Sequence, residues 1–394
     1  MSNTNPLTKT VSLLSNNYEM KDCFRFNLFS QDVEYKIKPI WDVYAEIGDP
    51  ITDETLTKIR YYLGSVCNYE PKKTIVGEAC FVMALRDTYH PVKNYIESEK
   101  WDGENRLERW LTITTGCDDN LYTQLVGKRF ILACVNRVYN PGCKFDHMMI
   151  LEGDQGIGKS TLVEELASDW YLDTSFENKD KDLVDSMREA LIVEVSELAG
   201  MTKREVEWVK AFIVRKVDKV RLPYAARTKP FKRNCVFMGT YNPSGDNMYF
   251  RDDTGNRRFW PVECKKIDIT WLVENKKQLW AEALECYKRK ELYYIYEQEA
   301  IDIMKNMHAE RELESPTMVK IREWLRGQSS NVDMNDIIES ALKINTDGKT
   351  PKELLSISTT VGIIMKKLGW SKGKNENRHK YYAPDYSEQE VWDE

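Results

Sequence analysis

The sequence lacks the features that mark membrane, secreted and zinc-binding proteins. No run of apolar residues approaches the roughly 18 that a membrane-spanning helix needs. The polar N-terminus shows no targeting segment. The nine cysteines are scattered without a C-x-x-C pair, and none of the four histidines has metal-site spacing. We therefore expect a cytoplasmic protein with reduced thiols, no membrane contact and no zinc module.

Excess positive charge is also absent. The 394 residues carry 57 Lys and Arg against 63 Asp and Glu, which gives a formal net charge of −6. This balance argues against a protein that coats nucleic acid through bulk charge, so any such contact must come from local basic patches. Charged residues at 30% and aromatic residues at 11% are ordinary for a globular protein, and the length predicts two or three domains.

What the sequence does contain is a complete phosphate-binding loop. The stretch LEGDQGIGKST follows an apolar run at residues 148–151 and precedes a helical pattern, which is the strand–loop–helix context of this motif. Its glycines let backbone N–H groups face phosphate oxygens, while Lys159 reaches the outer phosphates and Ser160 ligates Mg²⁺. The alternative is a glycine-rich turn without a ligand. The predicted ATP-binding residues are Gly153, Asp154, Gln155, Gly156, Ile157, Gly158, Lys159, Ser160 and Thr161.

An apolar strand that ends in acidic residues is the second element. Glu194 lies where the apolar run of residues 190–195 ends. We assign it to the metal, because P-loop enzymes place there an acid that holds Mg²⁺ directly or through water. Glu197 is the candidate for polarising the attacking water. Two residues separate the acids, so these roles could be exchanged, and two solvated glutamates on an exposed strand end are the alternative.

A third apolar strand, at residues 235–240, is followed by Asn242. In ring ATPases a strand of this type lies between the two nucleotide strands, and its terminal Asn contacts the γ-phosphate and the attacking water. We therefore predict that Asn242 senses the γ-phosphate. An Asn before Pro243 also suits a plain turn, which is the alternative.

Two adjacent arginines, Arg257 and Arg258, follow the sensor strand. A guanidinium supplied by a neighbouring subunit would neutralise charge that develops on the γ-phosphate, so the pair predicts an arginine finger and active sites between subunits. Either arginine could be the finger, and one of them could instead hold the acidic turn at residues 252–253.

A strongly basic segment lies between the acidic strand and the sensor strand. Residues 215–233 contain eight basic residues and one acid, Asp218, in a chain that is acidic overall. Lys and Arg bind phosphates, and interleaved aromatic rings can stack on the bases of a single strand. The segment predicts a DNA-binding pore loop, with a solvated or subunit-contact loop as the alternative. The predicted DNA-binding residues are Lys216, Lys219, Arg221, Tyr224, Arg227, Lys229, Lys232 and Arg233.

The rest of the chain frames this core. Residues 1–21 are predicted to be flexible, and the helical patterns of residues 22–143 predict an N-terminal collar domain. Apolar runs that alternate with helical patterns predict an α/β P-loop ATPase at residues 144–315. Three helices and a hairpin at residues 316–394 suit a winged-helix-like DNA-binding domain or, alternatively, a helical packing domain. The basic residues of its last helix and hairpin are Lys366, Lys367, Lys372, Lys374, Arg378, His379 and Lys380.

Together these residues resemble the virulence-associated protein E (VapE-like) family. The likeness runs from about residue 91 to residue 260. It rests on WDG at residues 101–103 with RL at 106–107, on Arg137 with PGCK at 141–144, and on the longer sequences LEGDQGIGKST, IVEVSEL, GTYN and TGNRRFWPV. This family is similar to the superfamily III helicases of the AAA+ class, found in phages and mobile pathogenicity islands. The resemblance implies a hexameric ring that moves 3′ to 5′ on single-stranded DNA in the bacterial cytoplasm.

The combined expectation is an ATP-driven DNA helicase or replication initiator. ATP binding between the subunits of a homo-hexamer would stagger the basic loops, and hydrolysis would draw single-stranded DNA through the ring. We expect a separate primase, or a stand-alone initiator, because the region ahead of the ATPase is short, helical and without a zinc site. The rivals are a P-loop switch or interference protein without unwinding activity, and a small-molecule kinase, which the paired arginines and the basic insert disfavour.

Overall fold

The computed structural model describes residues 5–174, 180–196, 198, 203–220, 229–242, 256–310, 316–328, 331–346, 348–373 and 379–384. The chain divides into two compact units, Met1–Glu312 and Leu313–Glu394. The helices are α1 (Pro6–Asn16), α2 (Asp53–Cys67), α3 (Lys73–Ala84), α4 (Pro91–Ile96), α5 (Trp110–Thr115), α6 (Leu121–Tyr139), α7 (Lys159–Ala167), α8 (Asp180–Ser186), α9 (Lys203–Ile213), α10 (Ile269–Lys288), α11 (Gln298–Glu310), α12 (Pro316–Leu325), α13 (Met334–Asp336, continued by the π-helical turn Ile337–Ala341) and α14 (Pro351–Lys367). The strands are β1 (Phe24–Asn27), β2 (Asp32–Tyr35), β3 (Thr88–Tyr89), β4 (Met148–Glu152), β5 (Tyr171–Thr174), β6 (Ile192–Val195), β7 (Val217–Val220), β8 (Lys229–Lys232), β9 (Val236–Tyr241), β10 (Phe259–Glu263), β11 (Asn331–Asp333), β12 (Ser371–Lys372) and β13 (Lys380–Tyr382). Within the described part of the chain, no helix is both long and apolar enough to cross a membrane.

A parallel five-stranded sheet lies at the centre of the first unit, which confirms the predicted α/β class. Its strand order is β10-β4-β9-β6-β5, and every neighbouring pair is parallel. Strands β4 and β9 are buried at every position, as expected when helices cover both faces of a parallel sheet. Met149 and Met238 share one core with α6, α7 and α10, while Ile150 and Phe237 do not belong to it: Phe237 packs with α9 on the other face.

The strand order confirms that the strand before Asn242 lies between the other two strands of the predicted nucleotide site. β9 lies between β4, which leads into the phosphate loop, and β6, which carries Glu194. The edge strand β5 was not predicted. It has only four residues, of which one is buried, and such a short, mostly half-buried strand leaves no clear periodicity in the sequence.

The N-terminal region has a small core of its own. Helices α1, α2 and α3 pack with the three-stranded sheet β2-β1-β3 around residues such as Ile59.

The expected flexible N-terminus is corrected for Pro6–Asn16. Helix α1 begins after Asn5, whose side chain accepts a hydrogen bond from the backbone N–H of Leu7, and it buries Leu14 completely. The region was expected to be mostly helical, and the sheet adds three strands to it. Strands this short carry too little alternation to be read from the sequence.

Helices α5 and α6 belong to the core of the central sheet. Trp110 of α5 and Phe130 of α6 are fully buried in the same cluster as Met149 of β4. Helix α6 begins at an Asn120 capping box and is buried along most of its length. The boundary expected after residue 143 therefore does not separate two cores, since the structure places the five-stranded sheet and the helices ahead of it in one compact unit.

The second unit combines three helices with an antiparallel sheet. Strand β13 pairs with both β11 and β12, and Ile321, Ile337 and Val361 form a core that joins α12, the π-helical turn and α14. The hairpin predicted at residues 373–382 is formed by β12 and β13 and begins at Ser371. Strand β11 was not predicted, because it has only three residues.

Candidate nucleotide-binding site

The phosphate loop connects β4 to α7 through glycines that other residues would replace only with strain or a steric clash. The φ angle is +83° at Gly156 and +100° at Gly158, a region that side-chain-bearing residues rarely adopt. At Gly153 a Cβ atom would lie 2.6 Å from the carbonyl oxygen of Cys264. Helix α7 begins at Lys159, directly after Gly158. The loop therefore ends at a helix N-terminus, where N–H groups without intrahelical partners suit an anion.

The side chain of Lys159 lies across this loop. Its Nζ donates hydrogen bonds to the backbone oxygens of Gly153 and Asp154, each at 2.7 Å. The residue is only 6% exposed, and burial lowers the pKa of the ammonium below its ordinary value. The ammonium is thus held by the loop that is predicted to receive phosphates, at the position that the motif requires.

The carboxylate of Glu194 contacts helix α7 and the two strands that flank β6 in the sheet, β9 and β5. It lies on β6 and is 0% exposed. Its Oε1 accepts hydrogen bonds from the hydroxyls of Ser160 and Thr240, each at 2.7 Å. Its Oε2 accepts a hydrogen bond from the hydroxyl of Tyr171. The predicted metal-side acid and the predicted metal-side hydroxyl are therefore in direct contact, and together they form an oxygen donor set of the type that Mg²⁺ prefers.

Two residues of this site, Thr240 and Tyr171, were not singled out by sequence patterns. Thr240 lies on β9, and its position two residues before Asn242 is the signal that could have identified it. Tyr171 lies on the unpredicted strand β5, where no local sequence pattern indicates its role. Burial, and then the hydrogen bond to Glu194, raise the pKa of Tyr171, so this hydroxyl keeps its proton at neutral pH and remains a donor.

Asn242 directly follows the carboxyl end of β9 and is half-buried. The register places Leu151 of β4 beside Thr240 of β9, so Asn242 emerges at the same edge of the sheet as the phosphate loop. Its assignment as γ-phosphate sensor stays a prediction. Glu197, the candidate for polarising water, lies outside the described residues.

Arg257 and Arg258 lie at the amino ends of the parallel strands, whereas the phosphate loop lies at their carboxyl ends. They end a 3₁₀ turn that leads into β10. Phe259 at the start of β10 pairs with Met148 at the start of β4, whereas the phosphate loop follows the end of β4. Five strand residues at about 3.3 Å each separate the arginines from that loop by roughly 16 Å, which exceeds the reach of an arginine side chain. Neither arginine therefore belongs to the nucleotide site of its own chain.

The two arginines differ in exposure. Arg257 is exposed, while Arg258 is half-buried, with its Nε shielded from solvent. The backbone oxygen of Arg257 lies 3.2 Å from His147 Nδ1, and the His147 ring stacks on Trp260 with ring centroids 4.5 Å apart. The backbone of the arginine segment is thus fixed against the core, while the Arg257 side chain remains accessible.

The described part of the basic segment is a two-stranded antiparallel hairpin formed by β7 and β8. The register pairs Val217 with Lys232 and Lys219 with Pro230, and alternation along the strands places Lys219 and Lys232 on one exposed face. Lys216 and Lys229 are also exposed, although Lys229 Nζ donates a hydrogen bond to Gln31 Oε1 at 2.8 Å. The predicted DNA-binding residues Arg221, Tyr224 and Arg227 lie outside the described residues.

Arg233 is removed from the predicted DNA-binding set. It is 3% exposed and forms a two-point ion pair with Asp218, with Nε–Oδ2 and Nη2–Oδ1 distances of 2.9 and 2.8 Å. Its Nη1 also donates to the backbone oxygen of Phe212 at 2.7 Å. The one acid of the segment is thus paired inside the protein. The charge that faces solvent on the described hairpin is therefore exclusively positive.

Asp218→Ala is expected to lower the free energy of unfolding by about 3–5 kcal/mol, because it leaves the buried Arg233 guanidinium without its partner. Chemical denaturation followed by circular dichroism measures the change. Asp302→Ala, which breaks the exposed ion pair with Lys305, is the matched control and should change stability little. Equal effects of the two substitutions would contradict a structural role for the Asp218–Arg233 pair.

A family model described as the virulence-associated protein E-like domain matches residues 96–313, more than half of the chain. The chain belongs to this family. The matched region contains every strand of the five-stranded sheet, the phosphate loop, Glu194 and both arginines. The VapE-like resemblance predicted from the motifs is thereby confirmed.

Solved structures extend the likeness in fold. The apo structure of the NrS-1 C-terminal region (305–718) is similar with a TM-score of 0.54 at 13% identity, covering 97% of this chain and 100% of that one. Two A-form apo structures of the NrS-1 C-terminal region give TM-scores of 0.48, at 15% and 13% identity, over 96% and 91% of this chain and 99% and 96% of theirs. At these identities the likeness concerns the fold alone. No curated protein matches the sequence.

The WDG motif that carries part of the VapE-like resemblance has a structural role here. Asp102 forms an ion pair with Arg106 at 2.8 Å, and Arg106 Nε donates to Asn275 of α10 at 2.9 Å. The backbone N–H groups of Arg106 and Leu107 donate to the buried Glu282 of α10. In this member of the family the motif therefore fixes the start of α5 against α10, on the face of the sheet that carries α7.

Proposed function

We propose that this protein is an ATP-dependent DNA helicase or replication initiator of a phage or mobile genetic island, with an AAA+ P-loop core. The observation that carries the proposal is the hydrogen bond between Ser160 and Glu194, made across the strand order β4-β9-β6. This bond joins the Ser160 hydroxyl, which directly follows the phosphate loop, to the Glu194 carboxylate on β6. A P-loop ATPase needs this pair of groups in contact with one Mg²⁺.

ATP and Mg²⁺ fit the residues at this edge of the sheet. The conformations of Gly156 and Gly158 form the curled loop that receives a phosphate chain. Lys159 is positioned to exchange its bonds to the loop oxygens for bonds to phosphate oxygens. Mg²⁺, when bound, supplies positive charge beside the β- and γ-phosphates. The Ser160 hydroxyl would hold it through the oxygen while still donating its proton to Glu194, and Asn242 would orient the attacking water.

Separation of the arginines from the phosphate loop supports a site shared between subunits. Arg257 lies about 16 Å from the loop of its own chain by the strand register, and it is exposed. In a head-to-tail ring each subunit presents a different face to each of its two neighbours. An exposed arginine of one subunit can therefore reach the nucleotide that is bound to the next subunit. We assign Arg257 as the finger of such a shared site. A homo-hexamer is proposed from the VapE-like resemblance.

The basic hairpin is proposed to bind single-stranded DNA in the pore of this ring. Lys216, Lys219 and Lys232 present exposed positive charge, and the Asp218–Arg233 pair fixes the base of the hairpin in the core. Phosphate contacts of this kind give affinity without sequence preference, which suits a protein that moves along a strand.

Lys219→Ala combined with Lys232→Ala is expected to reduce the stimulation of ATP hydrolysis by single-stranded DNA, measured as the ratio of the rates with and without DNA. On a single strand each phosphate contact contributes about 0.7 to the slope of log K against log salt, so loss of two lysines should reduce the magnitude of this slope by about 1.4. A salt series of fluorescence anisotropy measurements gives this slope.

Lys288→Ala combined with Lys305→Ala is the matched control for the hairpin variant. It removes the same charge from exposed positions on α10 and α11 and should preserve both the stimulation and the slope. Loss of binding in both double variants would indicate a general effect of net charge, and full stimulation in the hairpin variant would rule out the pore-loop assignment.

For the second unit we propose a winged-helix module that recognises an origin or duplex DNA. Its three helices and antiparallel sheet support this assignment. Lys366, Lys372 and His379 are exposed there, while Lys374, Arg378 and the side chain of Lys367 lie outside what the structure describes. A separate primase remains part of the proposal as a partner.

A strand-displacement assay tests the proposed function directly. The helicase proposal predicts ATP-dependent unwinding of a tailed or forked duplex by oligomeric protein, with a 3′ tail preferred. Hydrolysis of ATP and ring formation without unwinding of any such duplex would instead identify a P-loop switch that uses ATP for assembly.

A further inference from the structure

Both oxygens of the buried Glu194 carboxylate accept hydrogen bonds, and the two oxygens have different donors. Oε1 is shared by the hydroxyls of Ser160 and Thr240, whereas Oε2 accepts from Tyr171. Ser160 lies at the start of the helix that follows the phosphate loop, so its hydroxyl must serve the nucleotide as well. Among the described residues, Tyr171 is the donor to the other oxygen, Oε2.

The sheet register explains how Tyr171 reaches this acid. Tyr171 of β5 lies beside Ile192 of β6, and Asp173 lies beside Glu194. Side chains two residues apart on a strand point to the same face, so the long Tyr171 side chain runs along β6 over one repeat to the Glu194 carboxylate. Two hydrogen bonds from different sides, from Tyr171 and Thr240, define the plane of the carboxylate whether or not Ser160 also contacts it.

We propose that Tyr171 is a positioning residue that orients the Glu194 carboxylate for Mg²⁺–nucleotide binding. The inference rests on the proposed ATPase function and extends it to a residue outside the phosphate loop and the acidic strand motif. Groups that hold a metal-side carboxylate through hydrogen bonds commonly change metal affinity by 10- to 100-fold when they are removed. A residue that only fills space beside β6 would not produce such an effect.

Tyr171→Phe tests the proposal, because it removes one hydroxyl and keeps the ring. The readout is equilibrium binding of a fluorescent, non-hydrolysable ATP analogue to the full chain, titrated with Mg²⁺ and repeated in EDTA. We expect the Mg²⁺ concentration for half-maximal binding to rise about tenfold, with unchanged analogue affinity in EDTA. The EDTA measurement also reports whether the variant is folded.

Tyr139→Phe is the matched control. The Tyr139 hydroxyl also donates to a glutamate, but this acid is Glu97, and the Tyr139 ring packs against Tyr287 of α10. This variant should bind Mg²⁺ and nucleotide as the unmodified protein does. A Mg²⁺ dependence of Tyr171→Phe equal to that of Tyr139→Phe would overturn the positioning role.

A double-mutant cycle with Glu194→Gln distinguishes action through the acid from a general packing effect. If Tyr171 acts through Glu194, adding Tyr171→Phe to Glu194→Gln should leave the Mg²⁺ dependence unchanged. A further tenfold change in that background would contradict the proposal. Absence of Mg²⁺-dependent nucleotide binding by the unmodified protein would count against the proposed ATPase function itself, which is a separate outcome.

Discussion

Lys159→Ala is expected to reduce ATP hydrolysis by at least about a hundredfold, because it removes the cation that stabilises charge on the outer phosphates in the transition state. The ammonium already lies 2.7 Å from two backbone oxygens of the loop, so no rearrangement of the backbone is needed to place it. Steady-state phosphate release at saturating Mg²⁺ and ATP measures the loss.

The control for this variant is Lys276→Ala. Lys276 is another partly buried lysine that contacts α7, through an ion pair with Glu165, but it does not contact the phosphate loop in the described structure. Its replacement should preserve hydrolysis. Comparable rates for Lys159→Ala and the unmodified protein would mean that the loop is a glycine-rich turn without a catalytic role.

Arg257→Ala is expected to slow hydrolysis about a thousandfold, which is the low end of the contribution of an arginine finger. The decisive experiment mixes Arg257→Ala chains with Lys159→Ala chains. If one subunit supplies Lys159 and its neighbour supplies Arg257, rings assembled from equal amounts of Lys159→Ala and Arg257→Ala chains contain interfaces in which both residues are intact. Random assembly makes these about a quarter of all interfaces, so a corresponding part of the activity should return.

Two comparisons sharpen this experiment. Arg257→Lys keeps the charge but loses the planar fork of donors, so it should recover little activity. Arg258→Ala should cost less than Arg257→Ala, because Arg258 is half-buried and its Nε is shielded from solvent. Mixed rings that stay as inactive as each variant alone would show that the two residues do not meet across an interface.

The parts of the site that could be predicted from sequence are those that local patterns dictate. The loop glycines, Lys159 and Ser160 occupy fixed offsets in one short motif, and the buried strand β4 that precedes it begins as a continuous apolar run. The prediction that the Asn242 strand would lie between the other two is confirmed by the sheet order. A parallel sheet brings such strand ends to one edge, so chain order and residue type were sufficient.

The parts that failed depend on contacts between distant segments. Tyr171 reaches Glu194 only because β5 pairs with β6 in one register, and no local pattern of four residues specifies that pairing. Arg233 looked like a DNA-binding residue because its neighbours are basic, but a single acid 15 positions away holds it in the interior. Burial of a charge is decided by its partner, and the sequence alone does not show which partner folds against it.

The position of β9 has a mechanical consequence. This strand of six residues begins three positions after Arg233 at the base of the basic hairpin and ends immediately before Asn242. It is hydrogen-bonded on both sides, to β4 and β6, and these bonds fix both its length of about 20 Å and its register within the sheet. Because β9 cannot slide between its neighbours, a displacement of Asn242 would reach the hairpin only through a movement of the central strands as one rigid body.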